Sequence, residues 1–142
     1  MSYVQADNQP GEPIVIHRAS LGCFERTMAF LIEHYAGAFP LWLSPLQAIV
    51  IPIGEDHVVA AKLATEQLKQ AGVRVELWDQ SESMQKKIRN AEGQKIPYML
   101  IIGDREAESG SVSVRARGQQ DRGVMTIQAL LDHVQPLSNP LS

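Results

Sequence analysis

Between Ile96 and Arg117 the chain reads IPYMLIIGDREAESGSVSVRAR. Pro97 introduces a continuous apolar run from Tyr98 to Ile102, and Gly103 breaks it. After Gly110 the pattern alternates strictly through Ser111, Val112, Ser113, Val114, Arg115, Ala116 and Arg117. A short apolar run bounded by Pro and Gly predicts a central strand buried on both faces, and strict alternation predicts a strand with one wet face. The segment is therefore expected to form a strand, a polar turn and a second strand. Successive side chains of a strand point to opposite faces, so Val112, Val114 and Ala116 should enter the core while Arg115 and Arg117 stay exposed. Asp104, Arg105, Glu106 and Glu108 place charge in the turn.

Outward from this hairpin, the flanking sequence alternates strand and helix signals. Ala48 to Ile53 is an apolar strand, and Asp56 to Ala71 a helix with Val58, Ala61, Ala64, Leu68 and Ala71 on one face and Gly72 beyond it. Val73 to Trp78 reads as a second strand, and about Ser83 to Ala91 as a second helix. A last helix is expected from near Thr126 to Pro136, through Ile127, Leu130, Leu131 and Val134. The fold class is α/β, a mixed sheet of about five strands covered by three helices with right-handed parallel crossovers. Upstream, Pro40, Trp42 and Pro45 make a stiff connection, so a boundary is placed at about Leu46, dividing 1–45 from 46–142. In the first part, residues 5–13 read as a polar turn and Ile14 to Ile16 begin a β run ending at His17-Arg18-Ala19. A helix from Gly22 to about Tyr35 should use Phe24, Met28, Leu31, Ile32 and Tyr35 as its core face, leaving Glu25 and Arg26 off that stripe.

Composition bounds the function. With 142 residues, 44% hydrophobic and 20% charged, the chain can build one globular core, and no apolar run approaches the length of a membrane span. No signal peptide is read at the polar, acidic start, and the single Cys23 excludes an internal disulfide, so a cytoplasmic protein is expected. The net charge of −3 argues against a generally basic nucleic-acid binder. The charge is uneven, however: residues 84–122 carry eight Lys or Arg against five Asp or Glu, so a local anion-binding face survives the acidic total.

The run IVIHRASLGCFERTMAFLIEHYAGAFPLWLSPLQ, from Ile14 to Gln47, resembles motif 3 of a threonyl-tRNA synthetase, a class II aminoacyl-tRNA synthetase, leading into its anticodon-binding domain. It joins His-Arg-Ala, Leu-Gly-x-x-Glu-Arg, Glu-x-Tyr-Ala-Gly and Pro-x-Trp-Leu-x-Pro-x-Gln in order, and the resemblance covers nearly the whole chain. It implies that Arg26 lies against bound ATP in the intact enzyme, where a planar cation suits an adenine face or phosphate oxygens. It also implies that His17 is one of the zinc ligands that grip threonine. The plain alternative is a strand-end histidine and a surface arginine. A catalytic zinc site needs three protein ligands, and this chain has no second Cys, so neither firm zinc binding nor aminoacylation is expected of it alone. A homodimer is expected only of the full-length protein. Cys23 stands where the family more often has serine and reads as an ordinary small residue.

The same resemblance implies a tRNA partner. Arg89, Glu106 and Arg115 match base-reading positions, with Glu106 and Arg115 expected on one side of an anticodon pocket and Arg89 on the other. Anticodon bases are unpaired, so guanidinium forks and a carboxylate can meet their edges. Lys86 and Lys87 are expected to meet phosphate, giving affinity without sequence. After the second strand the family's Asp-x-Arg-Asn-Glu-like run is Trp78, Asp79, Gln80, Ser81 and Glu82 here, so Ser81 stands at a base-contacting asparagine and weaker reading is expected. Trp78 reads as packing rather than a stacking platform. The bland alternative for each charge is a solvated helix or strand face. Two other function classes stay open: a stand-alone tRNA- or RNA-binding module, and a synthetase-like protein-interaction subunit.

Overall fold

A computed structural model describes residues 2–19, 22–118 and 120–138, and its organising element is a five-residue strand buried along its whole length. In chain order the elements are β1 (Tyr3–Val4), β2 (Pro10–Gly11), α1 (Phe24–Tyr35), β3 (Ala48–Pro52), a single 3-10 turn at Glu55–His57, α2 (Val58–Gln70), β4 (Val75–Leu77) and α3 (Met84–Gly93). Then come β5 (Tyr98–Ile102), α4 (Asp104–Ser109), β6 (Ser111–Ala116), β7 (Gln120–Thr126) and α5 (Ile127–Ser138). The main sheet has the order β4-β3-β5-β6-β7, with β4, β3 and β5 parallel and the last two pairings antiparallel.

The strand sequences account for this order. A strand apolar on both faces belongs at the centre of a parallel set, and β3 is Ala-Ile-Val-Ile-Pro. Its Ala48 and Val50 join one core with Tyr98, Leu100 and Ile102 of β5, Val112, Val114 and Ala116 of β6, and the apolar faces of α2 and α5. Its Ile49 and Ile51 join the other core with Met99, Ala91 and Ile96, against Met84 and Ile88 of α3. The chain moves to one side of β3 over the α2 face and returns past it over the α3 face. Reversing both direction and face gives the two crossovers one hand.

The α/β class and the five-stranded mixed sheet agree with the sequence, and Val112, Val114 and Ala116 are core as expected. Four local expectations are corrected. The polar turn after β5 is the short helix α4, because Glu106 Oε2 accepts a hydrogen bond from the Gly103 N–H at 3.1 Å and Gly110, at φ 64°, closes the helix in the left-handed region. Ile14 to Ile16 form no strand. Backbone groups of a strand need a ladder, and the described ladders are β1–β2 and the main sheet, so Ile14 is 91% exposed. Helix α1 forms, but its apolar stripe is not core: none of its residues is buried and Phe24 is 71% exposed, because no described layer packs against it. Finally, α5 runs to Ser138, beyond the stop expected at Pro136; a proline in a last turn costs only one backbone bond. Among the described residues no helix is long and apolar enough to cross a membrane.

The connection from α1 to β3 is pinned to the sheet. Gln47, 1% exposed, donates from Nε2 to the Leu41 carbonyl at 3.0 Å and accepts from the Arg74 N–H at 2.9 Å. Arg74 donates from Nε to the Ser44 carbonyl and from Nη2 to the Trp42 carbonyl, both at 2.9 Å. Replacing Gln47 by leucine keeps the volume and strands the Arg74 N–H, while the Leu41 carbonyl keeps Arg74 Nη2 at 3.3 Å, so Gln47→Leu should cost about 1–3 kcal/mol, read as a lower urea midpoint with unchanged slope.

Candidate nucleic-acid interface

The loops that follow β3 and β4 meet at the carboxyl edge of the parallel strands, where open α/β sheets take ligands. They enclose a cavity of about 310 Å³ lined by Ile53, Gly54, Asp79, Ser81, Glu82 and Lys87, among others. Ser81 is thus on the loop at this edge. Lys87 is 4% exposed and donates from Nζ to the Trp78 carbonyl at 2.8 Å. A buried ammonium must be compensated from within, so this lysine holds the β4–α3 loop and is not a surface cation for phosphate. Lys86 is the exposed one, and its Nζ reaches Glu82 Oε1 at 2.6 Å across one helical turn. Such exposed pairs are worth little and open readily to a competing phosphate. Ser83 starts α3 by accepting the Lys86 N–H on its hydroxyl. Trp78 is half-buried against the α3 core, as its packing role requires.

The β3 and β5 loops are fastened to each other. His57 Nδ1 accepts the Gly54 N–H at 3.0 Å, which leaves the proton on Nε2 to donate to Asp104 Oδ1 at 2.8 Å. Glu106 serves α4 as its N-terminal cap, and it lines a separate apolar cavity of about 160 Å³ with Ala60, Leu63 and Ile127.

Beyond Met99, helix α3 no longer covers the sheet. Register pairs Arg115 of β6 with Met99 of β5 and Ser113 with Ile101, so Ser113 and Arg115 occupy the α3 side. Both are half-buried, and Val124 of β7, opposite Ser113, is 61% exposed. Arg89 is exposed on α3 itself, on this same side of the sheet. The structure thus brings Arg89 and Arg115 to one face. Glu106 lies at the other end of β6, because Arg115 stands four residues along the strand from Ser111, a rise of ~13 Å. Glu106 also lines the cavity on the α2 and α5 side of the sheet, whereas Arg115 is on the α3 side, so the two do not share the single pocket expected of them. Sequence reasoning missed Asp121, which pairs with Arg115 in register; the polar strand β7 carried no alternation to reveal it.

The N-terminal segment holds the remaining candidates. His17 and Arg26 are both exposed. Among the described residues no group of three His, Cys, Asp or Glu could hold a metal, so the donor set for zinc does not assemble here. Cys23 Sγ donates to Glu25 Oε2 at 2.7 Å, and this hydrogen bond, helped by a backbone one, holds the Glu25 carboxyl below its usual range.

Comparison with known proteins bears on all of this. The family model described as anticodon binding domain matches residues 47–137. The threonine–tRNA ligase of Rubrobacter xylanophilus is 51% identical over 133 residues, 93% of this chain and 21% of that protein. The ligase of Thermus thermophilus is 45% identical over 132 residues, 93% of this chain and 20% of that protein. Among solved structures, the RNA binding domain of threonyl-tRNA synthetase from Cryptosporidium parvum superposes with a TM-score of 0.81 at 34% identity, covering 99% of this chain and 36% of that one. Prolyl-tRNA synthetase from the same organism gives a TM-score of 0.63 at 27% identity, over 70% and 22% of the two chains. The chain spans about a fifth of the length of the curated relatives it matches.

Proposed function

The chain belongs to the anticodon-binding domain family, and from that premise we propose that its α3–β6 face reads unpaired anticodon bases of a threonine-specific tRNA, as one part of a threonine–tRNA ligase. The observation that carries this reading is Arg115. It sits half-buried on an open sheet face, on the same side of the sheet as Arg89 of α3. A half-buried guanidinium offers a planar fork to a base edge, and partial burial strengthens each hydrogen bond it makes. Asp121 opposite it supplies acceptors for base amino groups, and the exposed Lys86 supplies charge for phosphate. Ser81 lines the cavity at the carboxyl edge of β3 and β4, with Lys87 holding its loop.

The chemistry of the whole ligase joins threonine to tRNA with ATP. In that assembly Arg26 contacts ATP and His17 contributes one zinc ligand, while the segment 1–45 forms the end of the catalytic domain and 46–142 the reading domain. The family match beginning at residue 47 supports that division. One exposed histidine does not make a zinc site, so zinc enters no step derived from these residues.

The test is an amide footprint. On adding a threonine-anticodon stem–loop to the 15N-labelled chain, the largest shifts should fall on β6 around Ser113 and Arg115 and on α3 around Arg89. Shifts confined to α2 and α5 would place the RNA on the wrong side of the sheet and end the proposal.

A further inference from the structure

At the opposite edge of the sheet from the β3–β4 loops lies a groove of about 370 Å³, large enough for one nucleotide, whose polar and aromatic walls are Phe39, Trp42, Tyr98, Arg117, Gln120 and Arg122. Among the described residues, none that lines it is acidic, although the chain as a whole carries a net charge of −3. The cavity at the other edge, by contrast, is lined by Glu55, Asp79 and Glu82.

Local structure explains how the groove stays free of carboxylates. Between β6 and β7 the register shifts: Val114 pairs with Gly123 and Arg115 with Asp121, which leaves Arg122 as the extra residue of a β-bulge. Gly123, at φ 77°, supplies the left-handed conformation that such a bulge favours. Bulges re-aim side chains, and Arg122 lines this groove with Gln120 while Asp121 remains paired with Arg115. Arg117 is held in place from behind. Its Nη1 donates to the Phe39 carbonyl at 3.2 Å and to the Lys95 carbonyl at 3.0 Å, and a guanidinium carries further N–H donors on its other two nitrogens. Trp42, 40% exposed, also lines the groove, and Arg74 fixes its backbone through the carbonyl.

We propose that this groove is a second RNA site, separate from the base-reading face, which takes one unpaired ribonucleotide with its base stacked on Trp42 and its phosphate between Arg117 and Arg122. An indole face stacks on any base and two guanidiniums meet phosphate oxygens, so the site adds affinity without sequence preference. The inference rests on RNA being the partner of this chain.

The chain has two tryptophans, so Trp78→Phe leaves Trp42 as the only indole reporter. Titration with hexauridylate should quench Trp42 emission saturably, and inorganic tripolyphosphate should not reproduce the quench. In the otherwise unaltered chain, Arg122→Ala should weaken hexauridylate roughly fivefold by fluorescence anisotropy and lower the dependence of log K on log salt by about 0.7. Hexauridylate bound with unchanged Trp42 emission would overturn the stacking site. Tripolyphosphate quenching equally well would reduce the groove to an anion site and overturn it too. Failure of hexauridylate to bind while the threonine-anticodon stem–loop is still discriminated would remove the second site and leave the base-reading face standing. Failure of both RNAs would remove the two together.

Discussion

Leu100→Ala should destabilise the chain by about 2–5 kcal/mol, the largest effect expected of any single substitution considered. Leu100 is fully buried in the middle of β5, between Val50 of β3 and Val114 of β6 in the ladder. The same core holds Leu68 of α2 and Leu130 of α5, both almost fully buried. Truncation removes a full side chain's transfer free energy and leaves a cavity that strands fixed by backbone ladders on both sides cannot close. Chemical denaturation should show the midpoint falling with the slope preserved. A loss below about 1 kcal/mol would mean that β5 is not the central shared strand of the sheet.

Arg115→Ala should weaken the threonine-anticodon stem–loop by about 1–3 kcal/mol, roughly five- to 150-fold, and erase preference at one base. The fold should survive, because the side chain lies on the open face of β6 while Val114 and Ala116 keep the core side. Lys86→Ala provides the contrast. Its ammonium is exposed and its bond to Glu82 is a surface pair, so its loss should lower affinity alike for all sequences and reduce the salt slope by about 0.7. Titration of both variants against cognate and base-exchanged loops, at two salt concentrations, separates a base contact from a phosphate contact.

Much of this architecture is written in local pattern. The apolar run Tyr98 to Ile102 and the alternation after Gly110 have one physical reading each, and both strands form with Val112, Val114 and Ala116 inward. Pattern failed where a side chain did backbone work. Glu106 looks like loop charge in sequence, yet its carboxylate caps Gly103 and turns the loop into α4. Lys87 looks like its neighbour Lys86, and only the helical phase of α3 against the sheet decides which of the two is buried. Strand β7 carries Asp121, Arg122 and Gly123 in succession and has no alternation to read, because a bulge resets its phase. In the N-terminal segment the patterns are sound but incomplete. Ile14 to Ile16 and the stripe of α1 have the composition of buried elements, and no described layer covers them. Of the site, the positions of Arg89 and Arg115 on one face follow from the α/β topology, whereas the ~13 Å that separates Arg115 from the Glu106 end of β6 follows from strand direction and needed the register.

The most direct measurement of the central claim is the affinity of the unaltered chain, at one fixed salt concentration, for a threonine-anticodon stem–loop and for the same stem–loop with its anticodon bases exchanged. Base reading by the α3–β6 face predicts a preference of about tenfold or more for the cognate loop, corresponding to one good base contact, and its collapse in Arg115→Ala. Equal affinity of the unaltered chain for the two loops would contradict it.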